Sequence, residues 1–552
     1  MATLLYTIFG ITAGASLHCA VRREISPCTC SPHETFPNAI EVACERMETF
    51  TQVVDVLQDR FQMDAAISLK ITHSQLEDLE NRAFWEMKMN VKNLRLNYDN
   101  LTNLPESTFY NMSRTEFLSL SDNNLEAIPA QIFPHMPMIG TLDLARCRIQ
   151  HIRSGDFRAL KMLRYVMLAS NQIKRIDMGA FPPSIANLHV GRNNLSSLNG
   201  TLRHLNELKL LFINNNNLTT LEDELPPSAS ATLVLALSNR IRALPQSFRF
   251  LPLDSIYLSD NELTTFDGIL KFATRLQRLL VSNNKIEYLA QDEFLKAENL
   301  EELTMDRNQI RALNGSLLPL KNLRTANFTA NNLTEFSLKE IRGLTKLRLL
   351  DLSYNKIEKL TGRMDNLVEP DSMIVELRLE YNLLRSLDGN LMGLNRLRIL
   401  NLSNNRLHTI SPDDLIGLEE LEHLDVSFNR LKTLEETSKT YLPSLQFLNA
   451  SFNLLTEMKN DFHGLPILCM ADLSNNNISI ISKDLVANTR CSNHGVPNKL
   501  EILLQGMFNG GGRKNRQVKL KLKTSFSFEP ALSFRPNILI LQASFKPASK
   551  FK

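Results

Sequence analysis

The side chains of this 552-residue chain that are best suited to chemistry are its seven cysteines. Four of them, Cys19, Cys28, Cys30 and Cys44, lie close together near the N-terminus. Thiols at such spacing either bind a metal ion or form disulfides, and a C-x-C pair with no histidine cluster nearby favours disulfides. Four cysteines allow three pairings, and the residues alone do not choose among them.

The other three cysteines lie farther along the chain. Cys469 and Cys491 could pair with each other near the end of the regular part of the sequence. Cys147 stands where the repeat described below usually has asparagine, which predicts a buried structural thiol.

Eleven asparagines stand in Asn-x-Ser/Thr triplets, the acceptor sequence for N-linked glycans in secreted proteins. Residues 2–15 are apolar or small and end in Ala13-Gly14-Ala15, which predicts a signal peptide over residues 1–15. We therefore expect a secreted or extracellular chain, associated with a cell surface or matrix, that carries N-glycans. The candidate acceptors are Asn100, Asn111, Asn194, Asn199, Asn217, Asn314, Asn327, Asn332, Asn401, Asn449 and Asn477.

Catalytic residues do not form a recognisable set. The histidines are scattered, no Ser-His-Asp spacing stands out, and no glycine-rich phosphate loop follows a strand. His423 and Asp425 both face outward on one strand, but a solvated repeat surface explains them better. We predict no enzyme, no cofactor and no metal site. The net charge of +3 gives no general attraction to nucleic acid, and no later apolar run is long enough to span a membrane.

The chain is dominated by a repeat with the pattern LxxLxLxxNxL. Eighteen such units recur about every 24 residues, far more than chance would give. Positions 4 and 6 are apolar and alternate with the residues around them, which predicts a short strand with one buried face. The units begin at residues 66, 91, 115, 139, 163, 185, 208, 231, 253, 276, 300, 323, 347, 374, 397, 421, 445 and 468.

The unit that begins at Leu347 shows what each position should do. Leu350 and Leu352 are expected to point inward, and Leu349, Asp351 and Ser353 outward. No single unit can close a core, so the units must stack into coils with a parallel sheet on one side. A recurring phenylalanine should fill the other side, at Phe109, Phe133, Phe157, Phe181 and Phe294.

Position 9 is asparagine in fifteen of the eighteen units. After each strand the backbone turns and leaves polar groups unpaired, and a buried carboxamide can satisfy them across neighbouring coils. The exceptions are Ser74, Asp99 and Cys147, whose small side chains the same position should tolerate.

These features resemble the typical extracellular class of leucine-rich repeats, whose LPxxxF tail appears here as Leu104-Pro-Glu-Ser-Thr-Phe109. By overall organisation the chain is similar to insect surface proteins of the chaoptin and connectin kind and to Toll ectodomains. The resemblance implies an α/β solenoid of about 18 repeats, a curved right-handed coil with its parallel sheet on the concave face. It also implies a cysteine-rich cap over residues 16–65 with the pairs Cys19–Cys30 and Cys28–Cys44.

A partner should bind to the outward side chains of the sheet. Position 8 carries Tyr354, Tyr381, Phe428 and Phe452, and Arg378 lies nearby; aromatic residues and arginine are enriched at protein interfaces. The alternative is that these aromatics merely pack along the sheet edge. A second aromatic set comprises Tyr165, Phe212 and Tyr257, and other outward residues near the first set are Glu380 and His423.

Three of the glycan acceptors, Asn327, Asn401 and Asn449, fall at position 5, in the middle of the concave strands. A glycan there would obstruct binding, so either these sites are unused or the partner avoids them.

The solenoid is expected over residues 66–505, followed by a basic and poorly ordered tail over residues 506–552. The tail has ten Lys/Arg and one acid, and it abandons the repeat without the asparagine or the C-terminal cysteine cap. It is either a polyanion-binding arm or an alternative C-terminus, and we favour the second reading. The segment MDNLVEPDSM, at residues 364–373, reads as a loop inserted on the outer side.

The sequence as a whole predicts a binding protein. We expect an extracellular scaffold for cell adhesion or for surface or matrix recognition, with a protein ligand or surface receptor as partner, and homophilic contact as one option. The alternatives are a receptor-like, Toll-type ectodomain for pattern recognition or signalling, and a soluble enzyme inhibitor.

Overall fold

The computed structural model describes residues 24–33, 39–363, 372–434, 439–493, 496–497, 500–505 and 519–522. Over these residues the backbone winds into successive coils, and each coil adds one short strand to a single parallel sheet. The predicted solenoid is therefore confirmed. We number the coils 1 to 18 by the eighteen sequence units, and we call the side of the sheet bearing positions 3, 5 and 7 the sheet face.

Within the described residues the main sheet has 22 strands. They are Thr29–Pro32, Ala39–Glu45, Ala66–Thr72, Asn90–Asn97, Phe117–Ser119, Thr141–Asp143, Tyr165–Met167, Asn187–His189, Leu210–Phe212, Leu233–Leu235, Ser255–Tyr257, Arg278–Leu280, Glu302–Thr304, Thr325–Asn327, Leu349–Asp351, Glu376–Arg378, Ile399–Asn401, His423–Asp425, Phe447–Asn449, Met470–Asp472, Leu500–Leu503 and Lys519–Leu522. Short pairs away from it join His151–Ile152 to Arg175–Ile176, Glu335–Ser337 to Lys359–Thr361, Glu457–Met458 to Ile480–Ile481, and Ser492–Asn493 to Val496–Pro497.

Helical segments are few and short. The α-helices span Phe50–Leu57 and Pro412–Leu415. Short 3₁₀ helices of one or two turns lie opposite the sheet at Leu79–Asn81, Phe84–Met87, Glu106–Phe109, Ala130–His135, Gln246–Arg249, Ile269–Phe272, Leu338–Ile341 and Lys483–Val486. None of the described helices is long and apolar enough to cross a bilayer.

The core is shared between coils. Leu350 and Leu352 are fully buried, and Leu350 lies in register with Leu377 of the next coil. Opposite the sheet, phenylalanine rings stack from coil to coil, with centroids 5.7 Å apart for Phe157 and Phe181. The phenylalanines predicted for this side, Phe109, Phe133, Phe157, Phe181 and Phe294, are all buried. Each coil therefore obtains its core from its neighbours.

Asp351 and Ser353, which the sequence placed on the outward side of the strand, are only 7% and 2% exposed. Asp351 Oδ1 accepts the N–H and the hydroxyl of Ser353, at 3.0 and 2.6 Å. The two side chains therefore fold onto the backbone at the strand end, and Leu349 alone stays partly exposed on the sheet face.

The asparagine at position 9 ties each coil to the one before it. Asn355 Nδ2 donates to the carbonyls of Phe328 in the preceding coil and Leu352 in its own, at 2.9 and 3.0 Å. Its Oδ1 accepts the N–H of Leu333 in the preceding coil at 3.1 Å. Asn171 makes the same three contacts eight coils earlier. The predicted role of this residue is confirmed.

The three substitutes fill the position less completely. The hydroxyl of Ser74 donates to the Thr72 carbonyl, and the thiol of Cys147 reaches the Leu120 carbonyl at 3.4 Å. Asp99 Oδ1 accepts the N–H of Ser74 at 2.8 Å, but its buried Oδ2 has no hydrogen-bond partner among the described residues. An asparagine would place an amide donor there. Burial, opposed by the bond from Ser74, raises the pKa of Asp99 to about 7.

A disulfide and a helix close the N-terminal end. Cys28 is bonded to Cys44, whose strand Ala39–Glu45 runs parallel to the first coil, so that the cap continues the sheet. The helix Phe50–Leu57 buries its apolar face, and Asp78 of coil 1 accepts the N–H groups of Phe50 and Thr51. The predicted Cys19–Cys30 pair cannot be placed, because Cys19 lies outside the described residues.

At the C-terminal end the pairing of Cys469 with Cys491 that the sequence suggested is confirmed, and the last coil is not left open, contrary to the expectation. Cys469 of coil 18 is bonded to Cys491, and Leu500–Leu503 adds a further parallel strand. Lys519–Leu522, within the predicted tail, then pairs antiparallel with Leu500–Leu503 and covers its edge. An unpaired edge would expose a row of backbone donors and acceptors, which explains why the chain covers it. The other tail residues, 506–518 and 523–552, and most of the predicted insertion lie outside the described residues.

Replacing Asp99 by asparagine should stabilise the protein and remove one source of its pH dependence. The folded-state pKa lies above the unfolded value of 3.8, so the contribution of Asp99 is most favourable below about pH 4 and is lost as pH rises through 7. We expect Asp99→Asn to gain on the order of 2–4 kcal/mol at pH 8 and little at pH 4. Thermal unfolding at both pH values measures this.

The matched control is Asn355→Asp, which should introduce at coil 13 the pH dependence that Asp99→Asn removes at coil 2. If Asp99→Asn shifts the melting temperature equally at pH 4 and pH 8, the carboxyl of Asp99 is not the source of the pH dependence.

Candidate functional site

Position 8 has one backbone conformation in all eighteen coils. Its φ lies between 51° and 62°, in the left-handed region. Asparagine adopts this region readily, and bulky side chains do so at a cost. Asn404 and Asn475 fill the position in the usual way, whereas Tyr354, Tyr381 and Phe428 do not. The backbone therefore gives no reason for aromatic residues here.

Position 8 carries one stacked pair of rings in coils 1 and 2, His73 and Tyr98, and two further stacked pairs in coils 13 to 17. The rings of Tyr354 and Tyr381 lie 4.2 Å apart, and those of Phe428 and Phe452 lie 4.1 Å apart. Their exposed fractions run from 45% to 51%. Asn404 occupies the coil between the pairs. The structure thus brings the predicted aromatics together into an interrupted row along one edge of the sheet, which we call the aromatic row.

Arg378 lies on the sheet face but is engaged within the protein. Its guanidinium pairs with Glu376 at 2.6 Å and with Asp351 at 3.4 Å. His423, which the sequence placed nearby, stacks on Phe447 at 4.5 Å. Phe447 was missed because it sits at position 3, where no pattern residue draws attention to it.

We expect Tyr381→Asn and Phe428→Asn to leave stability within about 1 kcal/mol of the parent, because the relief of left-handed strain offsets the lost ring contact. The alanine variants of the same residues should be less stable than the asparagine variants, since they lose the ring and keep the strain. Chemical denaturation of the four variants provides the comparison; equal stability of the Ala and Asn pairs would contradict the strain argument.

A second surface lies on the sheet face of coils 5 to 9. Across these five coils the fifteen residues at positions 3, 5 and 7 include no Asp, Glu, Lys or Arg. Burial lowers the pKa of His189, so its imidazole is neutral too. Tyr165, Phe212 and Tyr257, flagged in the sequence, belong to this surface. The apolar patch, as we call it, comprises Tyr165, Met167, Leu210, Phe212, Leu233, Leu235, Leu237 and Tyr257, all of them at least partly exposed.

Sequence reasoning missed the leucines of the patch because leucine is also the residue of the buried positions. Coil 8 alone places Leu233, Leu235 and Leu237 on the sheet face. Reading position 3, 5 or 7 across successive coils, instead of reading along each unit, would have revealed them.

The three glycan acceptors on the sheet face belong to a structural turn. Asn401 Oδ1 accepts the N–H of Ser403 at 3.0 Å, and Asn449 Oδ1 accepts that of Ser451 at 3.2 Å. Asp425 makes the same bond to Ser427 at 2.9 Å. An Asp or Asn side chain that accepts the N–H of a serine two residues later thus caps several of these strands. Where the residue is Asn, the same triplet is also an acceptor sequence for N-linked glycans.

We expect no glycan on Asn327, Asn401 or Asn449, because their carboxamides are half-buried and hydrogen-bonded. Asn449 Nδ2, the atom to be glycosylated, donates to Asp425 Oδ2 at 3.0 Å. Exposed acceptors such as Asn194 should be occupied. Glycopeptide mass spectrometry of secreted protein tests this, and full occupancy of Asn449 in folded protein would refute it.

Comparison with known proteins supports the fold. Residues 89–149, 298–357 and 373–431 match the family model described as leucine rich repeat. The chain contains leucine-rich repeats. Osteomodulin of Bos taurus is 28% identical over 201 residues, which cover 28% of this chain and 47% of osteomodulin. Lumican of Gallus gallus is 34% identical over 139 residues, which cover 24% of this chain and 38% of lumican. The chain thus spans less than half the length of these two relatives.

A solved structure extends the likeness over most of the solenoid. The Toll–Spatzle complex, described as a molecular hub in Drosophila development and innate immunity, superposes with a TM-score of 0.56 at 17% identity. It covers 83% of this chain and 70% of that one. At this identity the likeness concerns the fold. The resemblance to chaoptin and connectin stays a prediction.

Proposed function

We propose that this leucine-rich-repeat chain is an extracellular protein-binding scaffold that acts by binding and not by catalysis, in cell adhesion or in recognition at a cell surface or matrix. The observation that carries the proposal is the apolar patch on the sheet face of coils 5 to 9. It lies within the face that the solenoid leaves open to a partner.

Folding alone does not account for the patch. A coil needs apolar residues at positions 4 and 6, and these are buried in coil 8 as Val234 and Ala236. Leu233, Leu235 and Leu237 face the other way, where most coils carry polar residues. Exposed apolar surface costs solvation free energy, and contiguous patches of it mark binding sites. The absence of charged residues at positions 3, 5 and 7 of these coils matches the cores of protein interfaces, which are depleted of charged residues.

The two described disulfides support an extracellular location. Cys28–Cys44 and Cys469–Cys491 lie at opposite ends of the solenoid, and disulfides persist in oxidising compartments. A binding function also suits the fold, since Toll, which shares it, is seen in complex with Spatzle. A ligand-binding ectodomain or a soluble inhibitor would use the same surface with a different partner.

Cells that display the chain through a fused membrane anchor test the proposal. We expect them to aggregate, with themselves or with unmodified cells, and we expect Leu235→Glu to reduce aggregation at least tenfold, because a carboxylate in the patch would be desolvated on contact. Mixing displaying and unmodified cells separates homophilic from heterophilic contact.

Phe250→Glu is the matched control, because Phe250 is 68% exposed and lies away from the sheet face. It should aggregate like the parent. If Leu235→Glu, displayed at equal level and with an unchanged melting temperature, also behaves like the parent, the patch is not the binding surface. If cells with either variant aggregate and only cells without the protein do not, the protein is still adhesive but its binding surface lies elsewhere.

A further inference from the structure

Charge changes along the sheet face beyond the apolar patch. In coils 11 to 18 the residues at positions 3, 5 and 7 include seven carboxylates against one arginine, Arg378, and one histidine, His423. We call these carboxylates the acidic strip; they are Glu302, Asp306, Asp351, Glu376, Glu380, Asp425 and Asp472. The chain as a whole is slightly basic, so the strip is a local feature of this face.

Part of the strip is neutralised within the protein. Glu302 faces Arg278 at 3.7 Å and Asp306 faces Arg307 at 3.0 Å, while Arg378 serves Glu376 and Asp351. The carboxylates of the strip that have no such ion pair lie in coils 14, 16 and 18.

Among the described residues, Glu380, Asp425 and Asp472 have no cation within ion-pair distance. Glu380 Oε2 also has no hydrogen-bond partner there. Burial raises the pKa of Glu380, and the nearby charges of Asp351 and Asp425 raise it further while Arg378 lowers it. The ionised form of this buried carboxyl is thus poorly stabilised within the protein, and a cationic group of a partner would stabilise it.

An inorganic cation fits the strip poorly. The described residues contain no group of three His, Cys, Asp or Glu side chains placed to hold a metal ion. The unpaired carboxylates lie two coils apart, or roughly 10 Å at the usual strand spacing, which suits separate cationic side chains on one polypeptide.

We infer that the partner of this solenoid is a polypeptide that presents apolar side chains to coils 5 to 9 and lysine or arginine side chains to coils 14 to 18. The inference rests on the proposed function and adds the chemistry of the partner. From Tyr257 to Glu380 the sheet advances five coils, or about 24 Å, which a small folded domain or an extended segment of about eight residues spans. The aromatic row borders the acidic strip, and its exposed rings favour cations as well.

The strand caps allow the charge to be removed without disturbing the fold. Asp472 Oδ1 accepts the N–H of Ser474 at 2.9 Å, the bond that Asn401 makes to Ser403. Asparagine already serves this position, so Asp472→Asn keeps the cap and loses the charge. Asp425→Asn keeps the bond to Ser427 but loses the oxygen that accepts from Asn449 Nδ2, so the melting temperature of the variant is measured beside its binding. Glu380→Gln removes a charge that is not part of a cap. The control variant neutralises three exposed acids away from the sheet, Glu298, Glu358 and Glu419.

The experiment measures binding of synthetic peptides to the whole protein by fluorescence anisotropy, at low salt and at about 0.5 M salt. The probe peptide joins an alternating Leu-Ser half to an alternating Lys-Ser half; a second peptide has Glu for Lys, and a third has Ser for Leu. We expect the first to bind best, with the triple variant Glu380→Gln, Asp425→Asn, Asp472→Asn weakening it roughly tenfold at low salt. The control variant should bind as the parent does, and carbodiimide cross-links should map to the strip.

Equal binding of the Lys and Glu peptides, or an unchanged affinity of the triple variant, overturns the inference and leaves the proposed function intact. Failure of every peptide also overturns it. Whether the apolar patch is a binding surface is tested separately, by Leu235→Glu in the aggregation assay.

Discussion

The bond from the position-9 carboxamide to the preceding coil is the interaction on which this molecule depends. A single coil has too few apolar residues to exclude water and leaves its turn with unpaired backbone groups. Asn355 solves the second problem with one side chain, which donates to three carbonyls and accepts one N–H. Because two of those groups belong to the previous coil, the same side chain that completes one turn also fixes the next in register.

This division of labour leaves the sheet face free to vary. Positions 4, 6 and 9 carry the core and the ladder, and position 8 fixes the turn in its left-handed conformation. Positions 3, 5 and 7 are constrained only by the cap between an acid or amide and serine. Composition can therefore change along the face, from the uncharged positions around Leu235 to the carboxylates around Asp425, without any change in the path of the backbone. The residues that stabilise the fold and the residues that vary on the sheet face thus occupy different positions of the same eleven-residue segment.

The repeat made the fold predictable, and the same repetition concealed part of the site. Periodicity alone predicts the buried leucines such as Leu350, the asparagines of position 9 and the stacked phenylalanines, because every coil has the same packing and hydrogen-bonding requirements. Leu233 and Leu237 could not be separated from pattern leucines by type. The stacking of Tyr354 on Tyr381 depends on the spacing of neighbouring coils, and the burial of Asp351 on a local turn. The buried Oδ2 of Asp99, which has no hydrogen-bond partner among the described residues, could be recognised only after the hydrogen-bond partners of the equivalent asparagines were known.

The antiparallel strand Lys519–Leu522 has a consequence for how copies of this molecule can meet. A stack of parallel coils is in principle open-ended, since the final strand resembles the one before it and could accept another molecule's first. Here the direction of the last strand is reversed, so an incoming parallel coil finds the wrong hydrogen-bond pattern. Addition of a further parallel coil beside Lys519–Leu522 is therefore disfavoured.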